Sequence, residues 1–165
     1  MRHAGCETSH DRDRRSVHLA LIDPRYASAI LTGVKTIESR FTRTRRVPFG
    51  RIAAGERIYF IARRAGLIVT AVAERVETFE GLDAAAIEAI RREYGSAIGA
   101  TAEYWREKGS CRFGTLVWLG GAELAAWAPD DVHGREASYR SAWVVRPGAQ
   151  CVYPACCARD ARHSA

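Results

Sequence analysis

The segment Gly33-Val34-Lys35-Thr36-Ile37-Glu38-Ser39-Arg40 carries the densest chemical pattern in the chain. Gly33 is placed to end a helix, and residues 34–40 read as a strand. On a regular strand Thr36, Glu38 and Arg40 share one face, while Lys35, Ile37 and Ser39 share the other. Taken alone, this pattern fits a Glu38–Arg40 ion pair on a solvated strand, worth under about 1 kcal/mol. For Lys35 to join those two, the helix–strand junction must twist or bulge.

Working outward, residues 17–22 (VHLALI) form an apolar run suited to a buried strand. Asp23-Pro24 then supplies an N-cap and a first-turn proline for a helix over about 24–32, with Tyr26, Ala29 and Ile30 on one stripe. Residues 42–55 are an Arg-rich loop. Strands follow at 56–61 (ERIYFI) and 67–79 (LIVTAVAERVETF), joined as a hairpin across 63–66. Asp83 caps a helix over 84–94 whose Ile87, Ile90 and Tyr94 recur at helical spacing, with Gly95 beyond its end. A second helical stretch, 101–108 (TAEYWREK), closes at Gly109. Strand character returns at 113–127, interrupted at Gly120-Gly121, and again at 138–145. Residues 1–15 lack periodicity and are expected to be a disordered lead-in; residues 147–165 read as a disordered tail. Short strands with inserted helices predict one small α+β barrel over residues 16–146. No internal repeat, glycine-rich phosphate loop or nucleophile elbow is present.

The length of 165 residues suits one domain, and 47% hydrophobic with 27% charged residues is ordinary for a globular chain. No stretch approaches the ~20 apolar residues of a membrane span. The first residues contain no apolar signal-peptide region and include Glu7, Asp11 and Asp13, so a cytoplasmic protein is expected. The net charge of +6 is concentrated. Residues 35–64 hold nine basic residues against Glu38 and Glu56, or +7, leaving −1 for the remainder. A general composition bias acts everywhere, so this local field points to an anionic partner, a polyanion such as RNA or DNA or an anionic small molecule.

Five cysteines without an export signal argue against a disulfide framework. Cys151, Cys156, Cys157 and His163 contain metal-binding residue types, but adjacent Cys156 and Cys157 and the lack of paired C-x2-C hairpins fit zinc poorly. No metal and no cofactor are expected. Neither His18, in a strand, nor His133, in a loop, has a partner suggesting a triad. Among the aromatics, Trp118 and Trp143 read as core. Trp105, in a polar helix beside Arg106, is the candidate for a cleft-edge stacking ring.

The run HLALIDPRYASAILTGVKTIESR, with the later VPFGRIAAGERIYFI, resembles the ASCH domain family. That family shares a strand, a short helix ending in glycine and a G-x-K-x-x-E-x-R strand, met here by Gly33, Lys35, Glu38 and Arg40. Looser matches extend the resemblance over residues 17–146. It implies a PUA-like β-barrel whose Lys, Glu and Arg line a cleft for a nucleotide or nucleic acid. On that reading Lys35, Glu38 and Arg40 build the cleft, and Arg43, Arg45 and Arg46 contact phosphates. The ligand would be RNA or a modified nucleoside.

The resemblance also implies an alternative, a small hydrolase acting on acylated cytidine or on RNA phosphodiesters. Its catalytic set would be Lys35 as amine or phosphate clamp, with Glu38 or Glu93 as general base. One deacetylating branch of the family uses a threonine where this chain has Glu38. Thr36 is the nearby hydroxyl. The substitution favours the binding module. An interaction domain without a ligand is the third reading.

Overall fold

The structure, a computed structural model, describes residues 16–125 and 142–146. The readings made above for residues 1–15, the end of the 113–127 strand, His133, the start of the last strand and the 147–165 tail lie outside these. Among the described residues the strands are β1 (Val17–Leu21), β2 (Ile37–Thr42), β3 (Arg57–Ala62), β4 (Leu67–Glu80), β5 (Phe113–Leu124) and β6 (Trp143–Arg146). The helices are α1 (Pro24–Leu31), α2 (Ala84–Ile98) and α3 (Ala102–Lys108). A short 3-10 turn, Arg63–Ala65, and Gly66 at φ 59° make the expected β3–β4 hairpin.

The strands form one sheet in the order β2-β5-β4-β3-β1-β6, with β1 parallel to β3 and every other pair antiparallel. The expected α+β barrel is therefore realised as a half-barrel whose edges are β2 and β6. Curvature enters through the long β4–β5 pair. Its register shifts between Thr70 and Val72 and again between Ala73 and Arg75, against the Gly120-Gly121 stretch. The glycine pair thus permits a bulge rather than ending the strand. The Glu74 carboxylate lies across Gly120, where a Cβ would collide with its Oε1.

Two apolar clusters hold the helices to this sheet. Ala27 and Ile30 of α1 pack with Ile58, Phe60, Val69 and Ala71. Ile87, Ile90 and Ile98 of α2 and Trp105 of α3 pack over Ile37, Phe41 and Leu116. Both sequence-derived helix starts are as expected, with Asp23 and Asp83 accepting from the amides of Arg25 and Ala86. The end of α2 is not. It runs through Gly95 to Ile98, because Ile98 extends the buried stripe and Gly99, at φ 65°, supplies the left-handed cap. Strand β2 likewise begins at Ile37, not at residue 34, so Lys35 and Thr36 belong to the connection.

Two glycines should respond oppositely to alanine. A Cβ at Gly114 would lie 2.8 Å from the Phe41 ring and 3.0 Å from Leu82 Cδ1. Gly114→Ala is expected to cost about 1–3 kcal/mol through overpacking. At Gly95, inside α2, the nearest atom is Arg91 Cγ at 3.6 Å. Gly95→Ala is expected to stabilise by about 0.5–1 kcal/mol. Urea unfolding of both variants checks the pair.

Candidate functional site

The G-x-K-x-x-E-x-R signature separates into four structural tasks. Gly33 adopts φ 74° after α1 and turns the chain back, so that the Lys35 amide donates to Ala29 O at 2.9 Å. The Thr36 amide then donates to Ala97 O at the end of α2. Standing before the strand, Lys35 is free of strand alternation, and its amine reaches the Glu38 side without a bulge. Lys35 Nζ donates to Ile37 O and Ile98 O, both at 2.8 Å, and lies 3.3 Å from Glu38 Oε2. Three acceptors match three N–H donors, so the group is an ammonium with no capacity left.

Glu38, 5% exposed, uses its other oxygen to accept from Arg40 Nε at 2.7 Å. Burial favours the neutral acid. The charges of Arg40 and Lys35 and their hydrogen bonds outweigh it and hold the Glu38 carboxyl below its ordinary value. Burial pushes the Lys35 ammonium below the usual lysine value, opposed by Glu38. Arg40 is the member turned outward, with 22% of its side chain exposed. Its Nη2 donates to Leu21 O at 3.0 Å, and its guanidinium lies over the Trp143 ring, 5.2 Å from the centroid.

Arg40 thus bridges the open side of the half-barrel, from β2 to the end of β1 and the start of β6. Here a cleft of about 680 Å³ opens, lined among others by Asp23, Tyr26, Arg40, Tyr104 and Trp143. Arg45, Arg46 and Lys108 also line it. Ser39 Oγ and Tyr104 OH are 2.8 Å apart on its wall. Burial drives the Tyr104 hydroxyl well above its ordinary ionisation, so it serves as a neutral hydrogen-bonding group.

Several sequence-derived assignments need correction. Trp105 is 6% exposed and packs in the core against Phe41; its neighbour Tyr104 reaches the cleft instead. The seven-residue α3 is too short for periodicity to say which ring faces inward. Glu93 is exposed on α2 and is not among the cleft-lining residues. Lys35 supports the cleft from behind rather than lining it. Arg43 also falls outside the lining, with its Nε donating to Ser110 Oγ at 3.2 Å, whereas Arg45 and Arg46 lie on it. Arg45 pairs with Glu80.

Trp143, read as core, is both buried and part of the cleft floor. Its Nε1 donates to His18 Nδ1 at 3.0 Å, and His18 Nε2 lies 2.8 Å from Glu56 Oε2. Because indole N–H only donates, His18 carries its proton on Nε2 and gives it to Glu56. The sequence offered no signal for this relay, which joins residues 125 positions apart.

A curved half-barrel whose open side is spanned by an arginine over an aromatic floor describes the class. Solved structures place it further. The crystal structure of ASCH from Zymomonas mobilis matches with a TM-score of 0.53 and 22% identity, over 69% of this chain and 71% of that one. A tyrosine-to-phenylalanine mutant of the Zymomonas mobilis protein matches with a TM-score of 0.54 and 21% identity, over 70% and 76% of the two chains. This chain has the ASCH fold, as the signature implied. No family model matches the chain, and no curated protein is similar to it in sequence.

Two measurements follow. Removing the buried cation by Lys35→Met strips one partner from Glu38 and leaves Ile98 O unpaired. It is expected to cost about 3 kcal/mol in urea unfolding, the lower end for a broken buried pair, since Arg40 remains. His18, fully buried, has its pKa lowered from 6.5 by desolvation, against the raising effect of Glu56. Well above pH 6.5 neither folded nor unfolded His18 binds a proton. As pH falls below 6.5 the unfolded chain gains one first, so stability should decline toward the folded pKa. Unfolding at pH 7.5 and 5.5 should show this decline, and His18→Asn should lessen it.

Proposed function

We propose that this chain is a cytoplasmic nucleic-acid-binding module of the ASCH family, taking RNA or a modified nucleotide in the cleft between β2 and β6. The observation that carries the reading is the distribution of charge and rings. Arg40 is fixed at the floor, Tyr26 and Tyr104 supply apolar faces, and Arg45, Arg46 and Lys108 line the same opening. Aromatic faces stack unpaired bases, and a basic rim follows the backbone. Glu38 and Lys35 are positioning residues, since their polar atoms are spent on one another, on Arg40 and on backbone carbonyls.

The same geometry weighs against the hydrolase. Lys35 is saturated, Glu38 is held between two cations, and Glu93 lies outside the cleft. The Lys35 amine and the Glu38 carboxylate meet, but each is engaged by further partners, which weighs against either acting as the activating group.

If the rim contacts phosphates, affinity for a short single-stranded RNA should fall steeply with salt. Replacing Arg45 and Arg46 by alanine should flatten the slope of log K against log salt by about 0.7 per lost contact. Fluorescence anisotropy between 50 and 300 mM salt reads this. An unchanged slope would remove the rim from the interface.

A further inference from the structure

The cations of the cleft are of two kinds. Arg45, Arg46 and Lys108 line its outer part; Arg45 and Arg46 are exposed, and Lys108 lies over Tyr104. Arg40 is built in: Glu38 fixes its Nε, Leu21 O fixes one Nη2 proton, and Trp143 supports its face. Its remaining three N–H groups, two on Nη1 and one on Nη2, have no partner among the described residues. A guanidinium held this way is a planar double donor of fixed orientation, unlike a mobile surface charge.

Glu38 offsets one of the two cations beside it, and Asp23 on the cleft wall pairs with Arg25 at 3.5 Å. A phosphate gains most at the outer cations, where Arg46 and Lys108 add charge beyond the Arg45–Glu80 pair. Arg40 already shares a carboxylate, and its planar fork matches a flat group with two acceptors side by side. The rings of Tyr26 and Tyr104 in the same cleft suit the flat body of such a group. Among the four ribonucleobases, guanine has adjacent acceptors at N7 and O6, and cytosine at N3 and O2. Adenine and uracil carry no acceptors on neighbouring positions: the 6-amino group lies between N1 and N7 of adenine and C2–H between N1 and N3, and N3–H separates O2 and O4 of uracil.

We infer that the cleft, within the nucleotide-binding function proposed above, selects a base bearing two adjacent acceptors, guanine or cytosine, through the free fork of Arg40. Arg40 is then the specificity-determining residue, and the outer cations hold the phosphate without regard to base.

The test is calorimetric titration of the full chain with GMP, CMP, AMP and UMP, and with ribose 5-phosphate as the base-free probe. GMP or CMP should bind at least about tenfold more tightly than AMP and UMP. The preferred nucleotide should lose most of that margin when one acceptor is deleted, as in 7-deaza-GMP or 3-deaza-CMP. This arm needs no protein variant. Arg40→Lys keeps the charge and removes the fork; it should bring the four nucleotides within about threefold of one another. Equal binding of all four by the unaltered chain would overturn the base selection and leave nucleotide binding standing. Preference for AMP or UMP, or a margin that survives the deaza substitution, would also overturn it. Failure of every nucleotide to bind would overturn the function proposed above as well.

Discussion

A single buried carboxylate organises this protein. Glu38 sits between an ammonium behind it and a guanidinium in front, and each oxygen serves one of them. Ionising a carboxylate out of water is costly unless charge and hydrogen bonds replace the solvent, and Lys35 and Arg40 do both. The consequence reaches beyond the pair. Lys35 also binds the last carbonyl of α2, and Arg40 binds the end of β1. One side chain therefore ties the helix layer, the edge strand and the opposite side of the half-barrel.

Among the described residues the sheet ends at β2 and β6, and that tie spans the opening between them. Full closure would pair β2 with its neighbour by backbone hydrogen bonds and leave no opening. Instead the strands β2 and β1 are spanned by one side chain, and the gap on either side of it becomes the cleft. Exposed sheet edges invite unwanted pairing, and an arginine with its counter-ion is a charged obstacle to an incoming strand. The cleft wall and the edge protection are thereby supplied by the same residues.

The sequence displayed the parts that depend on local rules. Asp23-Pro24, Asp83 and Gly33 act through capping and left-handed turns within a few residues of themselves, so the helix starts and the β2 approach were legible. The Glu38–Arg40 pair was legible too, because strand alternation sets it. Long-range registers were not. Nothing near Lys35 announces Ala97 or Ile98, nothing in TAEYWREK distinguishes the buried Trp105 from the cleft-facing Tyr104, and nothing near His18 announces Trp143. The helix α2 outlasted its first glycine because apolar burial at Ile98 outweighed the modest local cost of Gly95.

The parallel pairing of β1 with β3, and the late arrival of β6 beside β1, impose an order in time. A ribosome releases β1 first and the tryptophan strand more than a hundred residues later. Until then His18 has no indole to accept from, and Arg40 no aromatic surface to lie on. The nascent chain can assemble its helices and five of its strands while the cleft still lacks a floor. A chain that ended before Trp143 would keep the Glu38 and Leu21 partners of Arg40 and lack the ring beneath its guanidinium.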